Sequence, residues 1–216
     1  MYAVKELFLT LQGEGAQAGR AAVFVRFTGC NLWSGRAADR GRGTGGCAAW
    51  CDTDFVGTDG AGGGKFATAD ALADAVIAAW APRAAAPYVV CTGGEPLLQL
   101  DAPLIAALRA RGATIAIETN GTQAVPAGID WVCVSPKAGA PLAITGGDEL
   151  KLVYPQPAAP AELAPERLRA LPFTHYFLQP LDGPDRDAAI AACVAYCRDH
   201  PPWRVSLQTH KLLRIP

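Results

Sequence analysis

Cys30, Cys47 and Cys51 fall on one stretch that closes with Cys51-Asp52-Thr53-Asp54-Phe55. Thiolates carried on a loop are soft donors suited to iron or zinc. The number three is informative. A closed structural zinc site takes four protein ligands, and an electron-transfer cluster is held by four cysteines. A [4Fe–4S] cluster held by three would leave one iron open to a small molecule. A zinc loop completed by a histidine is the alternative, although His175, His200 and His210 all lie far from the stretch in sequence. Cys193 and Cys197 repeat a C-x3-C spacing, but inside a helical pattern with Ile190 and Val194, where small buried hydrophobes are expected. Cys91 and Cys133 fall in expected strands and read the same way.

Further polar groups stand where strands are expected to end: Thr92-Gly93-Gly94-Glu95-Pro96, Glu118-Thr119-Asn120-Gly121, Ser135-Pro136-Lys137 and Gln179-Pro180-Leu181-Asp182. A glycine pair lets the backbone approach a ligand closely. Glu95 offers a carboxylate to an ammonium group. In barrels and open α/β sheets the carboxyl ends of the strands form the site, so four such signatures imply one ligand-binding rim.

The elements that must carry this rim alternate along the chain. Strands are expected at Ala22–Thr28, Tyr88–Thr92, Thr114–Glu118, Trp131–Ser135, Glu149–Val153, Tyr176–Gln179 and Arg204–Gln208. Helices are expected at Ala69–Ala81, Ala102–Ala110, Pro165–Ala170 and Arg186–Asp199, each with apolar residues three and four apart. Thr68 and Asp101 sit at N-cap positions and Gly112 at a helix stop. Strand–helix alternation implies parallel pairing with right-handed crossovers. The units are too few for a closed eight-fold barrel of roughly 250 residues. The expected fold is therefore an α/β partial, open β/α barrel. A single domain over residues 1–216 is expected, with an enlarged loop over about residues 30–65. The run Gly57–Lys65 reads as flexible but too short to separate domains.

Bulk properties bound the function. The chain has 216 residues, 50% of them hydrophobic, and a formal net charge of −1. That is enough for one sizeable core, and it argues against nonspecific nucleic-acid binding, which needs a positive excess. Asp74 and Arg83 interrupt the best apolar stretch, so no membrane span is expected. Seven cysteines, with no secretory pattern visible at Met1–Glu6, fit a reducing cytoplasm better than a disulfide framework.

The three loop cysteines, the Gly93-Gly94-Glu95 strand end and Glu118-Thr119-Asn120-Gly121 together resemble the radical S-adenosylmethionine (SAM) enzymes. Leu11-Gln12-Gly13-Glu14-Gly15, Arg26 in the strand feeding Cys30, Cys51-Asp52-Thr53 and Ser135-Pro136-Lys137 narrow the match. With Gln179-Pro180-Leu181-Asp182 and Thr209-His210-Lys211, they resemble the 7-carboxy-7-deazaguanine synthase family over residues 8–216. Two features depart from the usual superfamily pattern. The first cysteine gap is long, at sixteen residues, and the second holds Ala48-Ala49-Trp50 where two residues are usual. One extra residue is expected to bulge.

The resemblance implies the fold of a radical SAM domain and a [4Fe–4S] cluster on Cys30, Cys47 and Cys51. SAM would lie along Trp50, Cys51, Asp52 and Gly94, and against Ser135, Pro136 and Lys137. Gln179, Pro180, Leu181 and Asp182 would pack on its ribose and adenine. Cleavage of SAM would supply a 5′-deoxyadenosyl radical, with SAM regenerated afterwards. The implied substrate is 6-carboxy-5,6,7,8-tetrahydropterin, converted to 7-carboxy-7-deazaguanine with loss of ammonia in queuosine and deazapurine biosynthesis. Arg26 would take its carboxylate through a planar fork. Leu11, Gln12, Gly13 and Glu14 would meet its pyrimidine edge, with Thr92 and the Pro216 carboxylate adding contacts if a C-terminal strand folds back. Thr53 would be the protein ligand to Mg2+, a cation that often keeps few protein donors. A flavodoxin- or ferredoxin-type reductant and a homodimer are implied as well. A glycyl-radical-enzyme activase would share the cysteines and Gly93-Gly94-Glu95 without needing Gln12 or Arg26. A zinc-stabilised, non-catalytic module is the rival from another class.

Overall fold

The computed structural model describes residues 1–81, 83–157 and 159–216. One nine-stranded sheet organises the chain. Its first strands are β1 (Tyr2–Leu11), β2 (Ala21–Phe27) and β3 (Gly64–Phe66), followed by helix α1 (Ala69–Trp80). Then come β4 (Tyr88–Gly93), α2 (Ala102–Ala110), β5 (Thr114–Thr119), β6 (Trp131–Val134) and β7 (Gly147–Tyr154). The chain ends with α3 (Pro165–Leu168), β8 (Phe173–Pro180), α4 (Arg186–Asp199), β9 (Trp203–Val205) and α5 (Thr209–Leu213). The strand order is β3-β1-β2-β4-β5-β6-β7-β8-β9, with every neighbour pair from β2 to β9 parallel. β1 joins antiparallel to β2 and to β3. β3 and β9 are the two edges, so the sheet curls without closing, as expected of a partial barrel.

The helices begin where their caps dictate. Thr68 Oγ1 accepts the Ala71 amide at 3.1 Å and Asp101 Oδ1 accepts that of Leu104 at 3.0 Å. Each bond satisfies one of the amides a helix start leaves without a partner. Leu72, Ala73 and Val76 of α1, with Leu104, Ile105 and Leu108 of α2, then bury against Val23, Val25, Val89, Ile115 and Ile117. A second core joins Leu150, Leu152, Leu178, Cys193 and Trp203. Burying each such aliphatic side chain stabilises the fold by roughly 1.5–3 kcal/mol before ordering costs.

Strand alternation does the rest. Because successive side chains point to opposite faces, every strand that sends an aliphatic residue to the helices sends its neighbour to the concave side. That side receives Phe24 and Arg26, Thr92, Glu118, Cys133, Lys151 and Val153, and Gln179. Below them Ala22, Tyr88, Val90 and Ala116 close the floor.

Three elements differ from expectation. β1 was not expected: Tyr2–Leu11 places Lys5 beside Glu6 and becomes a strand through pairing on both sides. The run 57–65 leads into edge strand β3 instead of remaining a free loop. The C-terminal strand stops at Val205, and Thr209–Leu213 is a short helix, so Pro216 reaches the concave side from a helix end.

Candidate active site

A cavity of about 410 Å3 opens at the carboxyl ends of the strands. Cys30, Cys47 and Cys51 line it at one end with Trp50, Asp52, Thr53 and Gly94, while Ser135, Lys137, Thr92 and Gln179 share its wall. Leu11, Gln12, Gly13, Glu14, Arg26 and Pro216 line it as well. Pro136, Pro180, Leu181 and Asp182 are not on this wall; Pro136 offers its carbonyl to Gln156, and Asp182 pairs with Lys211 at 2.6 Å. Glu95, read from sequence as an ammonium acceptor, is fully buried away from the cavity. Its carboxylate accepts from Thr119 Oγ1 at 2.7 Å, the Asn120 amide at 2.8 Å and the Leu97 amide at 3.0 Å. It pins the Glu118–Gly121 turn to the β4 end. Gly94 is glycine for a similar packing reason, since a Cβ there would lie 2.2 Å from the Gly29 carbonyl.

The cysteine loop is built by its own insert. Gly46–Ala49 forms a 3-10 turn, and the Trp50 and Cys51 amides both donate to the Cys47 carbonyl, at 3.0 and 2.7 Å. The extra residue between Cys47 and Cys51 is thus absorbed as helical winding and needs no bulge. Arg40 donates to the carbonyls of Ala48, Ala49 and Cys51 at 3.1–3.3 Å and lies 5.1 Å over the Trp33 ring. The Gly46 amide bonds the Ala138 carbonyl, docking the insert on the Ser135–Ala138 turn. Burial pushes the Cys47 thiol up to about 11 and raises that of Cys30.

The other end of the cavity is a charged network. Lys151 Nζ lies 2.6 Å from Glu14 Oε2 and 3.4 Å from Glu118 Oε1. Gln12 Nε2 also donates to Glu118 Oε1, at 2.9 Å, and the Glu14 amide donates to Gln12 Oε1. Glu14 Oε1 accepts from Gln179 and Gln208 at 3.2 and 3.1 Å. Burial alone would raise the Glu14 carboxyl; the charge and hydrogen bond of Lys151 outweigh it and hold the group below its ordinary value. The main chain of Gln12 is engaged too, with Arg20 and Gly19, and the Gly13 carbonyl accepts from Thr209. Arg26 pairs with Glu6 at 2.6 Å on the cavity wall.

The chain is similar to known proteins. The chain is 62% identical to the 7-carboxy-7-deazaguanine synthase of Caulobacter vibrioides over all of itself and 99% of that protein. Identity to the synthase of Bordetella pertussis is also 62%, over the same shares. The chain belongs to the 7-carboxy-7-deazaguanine synthase family. It is thus an enzyme of radical SAM type. A crystal structure of QueE from Escherichia coli superposes with a TM-score of 0.65 at 26% identity, covering 95% of this chain and 93% of that one. No family model matches the chain.

The residues present fit the family's cofactors. Three free thiols line one cavity, and thiolates are the soft donors that iron takes. Among the described residues no three His, Cys, Asp or Glu side chains converge tightly enough for a single ion. Trp50 Nε1 is the one buried side-chain donor among the described residues without a partner, and Trp50 lines the cavity beside Cys51. Such an orphan suits an acceptor-rich ligand such as SAM.

Sequence reasoning missed Lys151 and the roles of Glu118 and His210, all on the cavity wall. Lys151 carried one signal: with Glu149 it breaks an otherwise apolar strand at alternate positions. His210 packs on Gly13, where a Cβ would lie 2.3 Å from its Nδ1.

Proposed function

We propose that this enzyme contracts the ring of 6-carboxy-5,6,7,8-tetrahydropterin to 7-carboxy-7-deazaguanine, with loss of ammonia, as one radical SAM domain over residues 1–216. The observation that carries the reading is the joining of the thiol loop to the Glu14–Lys151–Glu118 network in a single cavity. Bound to Cys30, Cys47 and Cys51, a [4Fe–4S] cluster with SAM would supply hydrogen-atom abstraction. Trp50, Cys51, Asp52, Gly94, Ser135, Lys137 and Gln179 form the wall against which SAM would lie.

The chain's own residues bind and orient. Arg26, with one edge on Glu6, keeps the rest of its fork for the substrate carboxylate. Glu14 and Glu118 present carboxylate oxygens to the N–H groups of the pyrimidine edge. Gln12 and Gly13 shape that end through contacts within the chain, and Leu11, Thr92 and Pro216 border it. The C-terminal segment borders the cavity, held there by Thr209 on the Gly13 carbonyl and by Thr10 Oγ1 on Pro216 at 2.6 Å. Lys211 ties the same segment to Asp52 at 2.7 Å. Thr53 would hold Mg2+. Electrons would come from a flavodoxin- or ferredoxin-type protein, and the enzyme would work in the cytoplasm as a homodimer. No helix among the described residues is long and apolar enough to cross a membrane.

The test is an anaerobic assay of iron-reconstituted protein with the pterin, SAM, Mg2+ and a strong reductant. The deazaguanine acid is expected, with SAM largely regenerated. SAM cleavage without that product would reject the substrate and point to the activase reading, while colourless protein holding zinc would reject the radical chemistry.

A further inference from the structure

β7 runs Gly147–Tyr154, and its core-facing residues Leu150 and Leu152 are buried among apolar neighbours. Its other face carries Glu149 and Lys151, both nearly inaccessible, at 3% and 4% exposure. Charged side chains are seldom buried this deeply unless paired. Glu149 Oε2 accepts the Ala16 amide at 2.9 Å, and the loop passes so close that a Cβ on Gly15 would lie 1.9 Å from its Oε1. Lys151 reaches Glu14 and Glu118, 137 and 33 residues away in sequence. The Glu118 Oε1 atom takes both Gln12 and Lys151, leaving Oε2 without an intramolecular partner among the described residues.

We propose that Lys151 is the positioning residue of the substrate end: its ammonium bridges Glu14 and Glu118 and fixes both carboxylates in place to accept a ligand edge bearing N–H donors. The inference rests on the pterin reading of the cavity and adds a residue that does not itself touch substrate. Arg26 differs in degree: it pairs with Glu6 through Nε alone and keeps the rest of its guanidinium on the cavity wall, while the nearly inaccessible Lys151 ammonium bridges two carboxylates.

The charge balance supports this role. Burial opposes the Lys151 ammonium, but the carboxylates of Glu118, Glu14 and Glu149 around it favour the charged form, which is held above the ordinary lysine range. Burial raises the Glu149 carboxyl, which Lys151 only partly offsets. Glu14 also meets Gln208 and His210 from the C-terminal segment, and both favour its ionised form. Without Lys151, burial would dominate at Glu14 and the carboxyl would take up a proton at higher pH than now. Protonation of Glu14 would turn one of its acceptor sites into an O–H donor, the wrong polarity for an N–H edge.

The experiment compares wild type with Lys151→Met and Lys151→Arg, each reconstituted with iron, over a pH series with 6-carboxytetrahydropterin. For Lys151→Met the expected result is a KM raised roughly ten- to hundredfold with kcat within about threefold, the worth of a hydrogen bond to a charged group. Its acidic limb of kcat/KM should also move to higher pH. Binding of 6-carboxypterin to the unreduced protein, read by fluorescence quenching, should weaken in parallel. A lysine serving the fold alone would lower thermal stability and the active fraction while leaving KM and the limb in place; that outcome overturns the proposal. If Lys151→Met does not fold, Lys151→Arg carries the test. Its KM should rise with the limb unmoved, and a limb that shifts with the charge retained overturns the proposal. A wild-type enzyme that neither binds nor converts the pterin would instead overturn the substrate reading beneath it.

Discussion

Gly15→Ala is the sharpest probe of how the substrate loop is held. Gly15 sits at φ +66°, and an added Cβ would stand 1.9 Å from Glu149 Oε1, where ordinary contact begins at 3.4 Å. The carboxylate or the loop must therefore recede by about 1.5 Å. A shift of that size breaks the 2.9 Å bond from the Ala16 amide and leaves a buried carboxylate short of a donor. The left-handed conformation costs about 1–2 kcal/mol for alanine, and the lost buried hydrogen bond about 1–3 kcal/mol more. For a chain of this length, the sum corresponds to a fall in Tm of roughly 5–15 °C. Gly19 supplies the control. It lies on the same loop at φ +87°, yet a Cβ there meets nothing within 4 Å. Gly19→Ala should carry only the conformational cost, a drop of roughly 2–8 °C. Thermal unfolding of both variants, with KM for the pterin, reads the difference. Equal losses of stability and unchanged KM in both would refute the claim that Glu149 anchors the loop by close approach.

Three further outcomes are expected. Arg40→Ala removes three hydrogen bonds to the carbonyls flanking Cys47 and Cys51 and the contact with Trp33. The reconstituted protein should bleach several-fold faster in air at nearly unchanged Tm, and equal bleaching rates would show that the insert does not brace the loop. Thr53→Ala should abolish stimulation by Mg2+ while SAM cleavage without it persists; stimulation at the wild-type level would remove Thr53 as the ligand. Asp130 is raised by burial but held below its ordinary value by the Ile115 amide at 2.8 Å and by Arg109 at 2.8 Å. A depressed carboxyl stabilises the fold above its unfolded pKa and loses that contribution as pH falls through the folded value. The stability gap between wild type and Asp130→Asn should therefore be full at neutral pH and shrink below about pH 4, as chemical denaturation at several pH values would show. A gap that is constant with pH would contradict the assignment.

Much of the scaffold was legible because it is local. The helices over Ala69–Trp80, Ala102–Ala110 and Arg186–Asp199 follow from apolar spacing, and Thr68 and Asp101 mark their starts by cap chemistry a few residues long. Parallel strands read as apolar runs between them. β1 was missed because Lys5-Glu6 interrupts the alternation of Tyr2, Val4, Phe8 and Thr10, and its pairing with β2 and β3 completes the strand. The C-terminal segment was misread for the same reason, its short helix being held by Gly13, Asp52 and Asp182 from distant parts of the chain.

By itself the sequence determined the chemistry: which donors exist, that three thiols share a loop, and that polar signatures end successive strands. Those are properties of residue type and spacing, and they survive without coordinates. Tertiary structure alone decided which of the polar groups act on one another. Glu95 is spent inside the fold and Pro136, Pro180, Leu181 and Asp182 lie off the cavity wall, though their motifs resemble those of Thr92, Ser135 and Gln179. Lys151 looks like any strand lysine until sheet curvature brings it to 2.6 Å from Glu14. Charge interaction depends on distance through space and on the depth of burial, and neither is written in the separation of two residues along a chain.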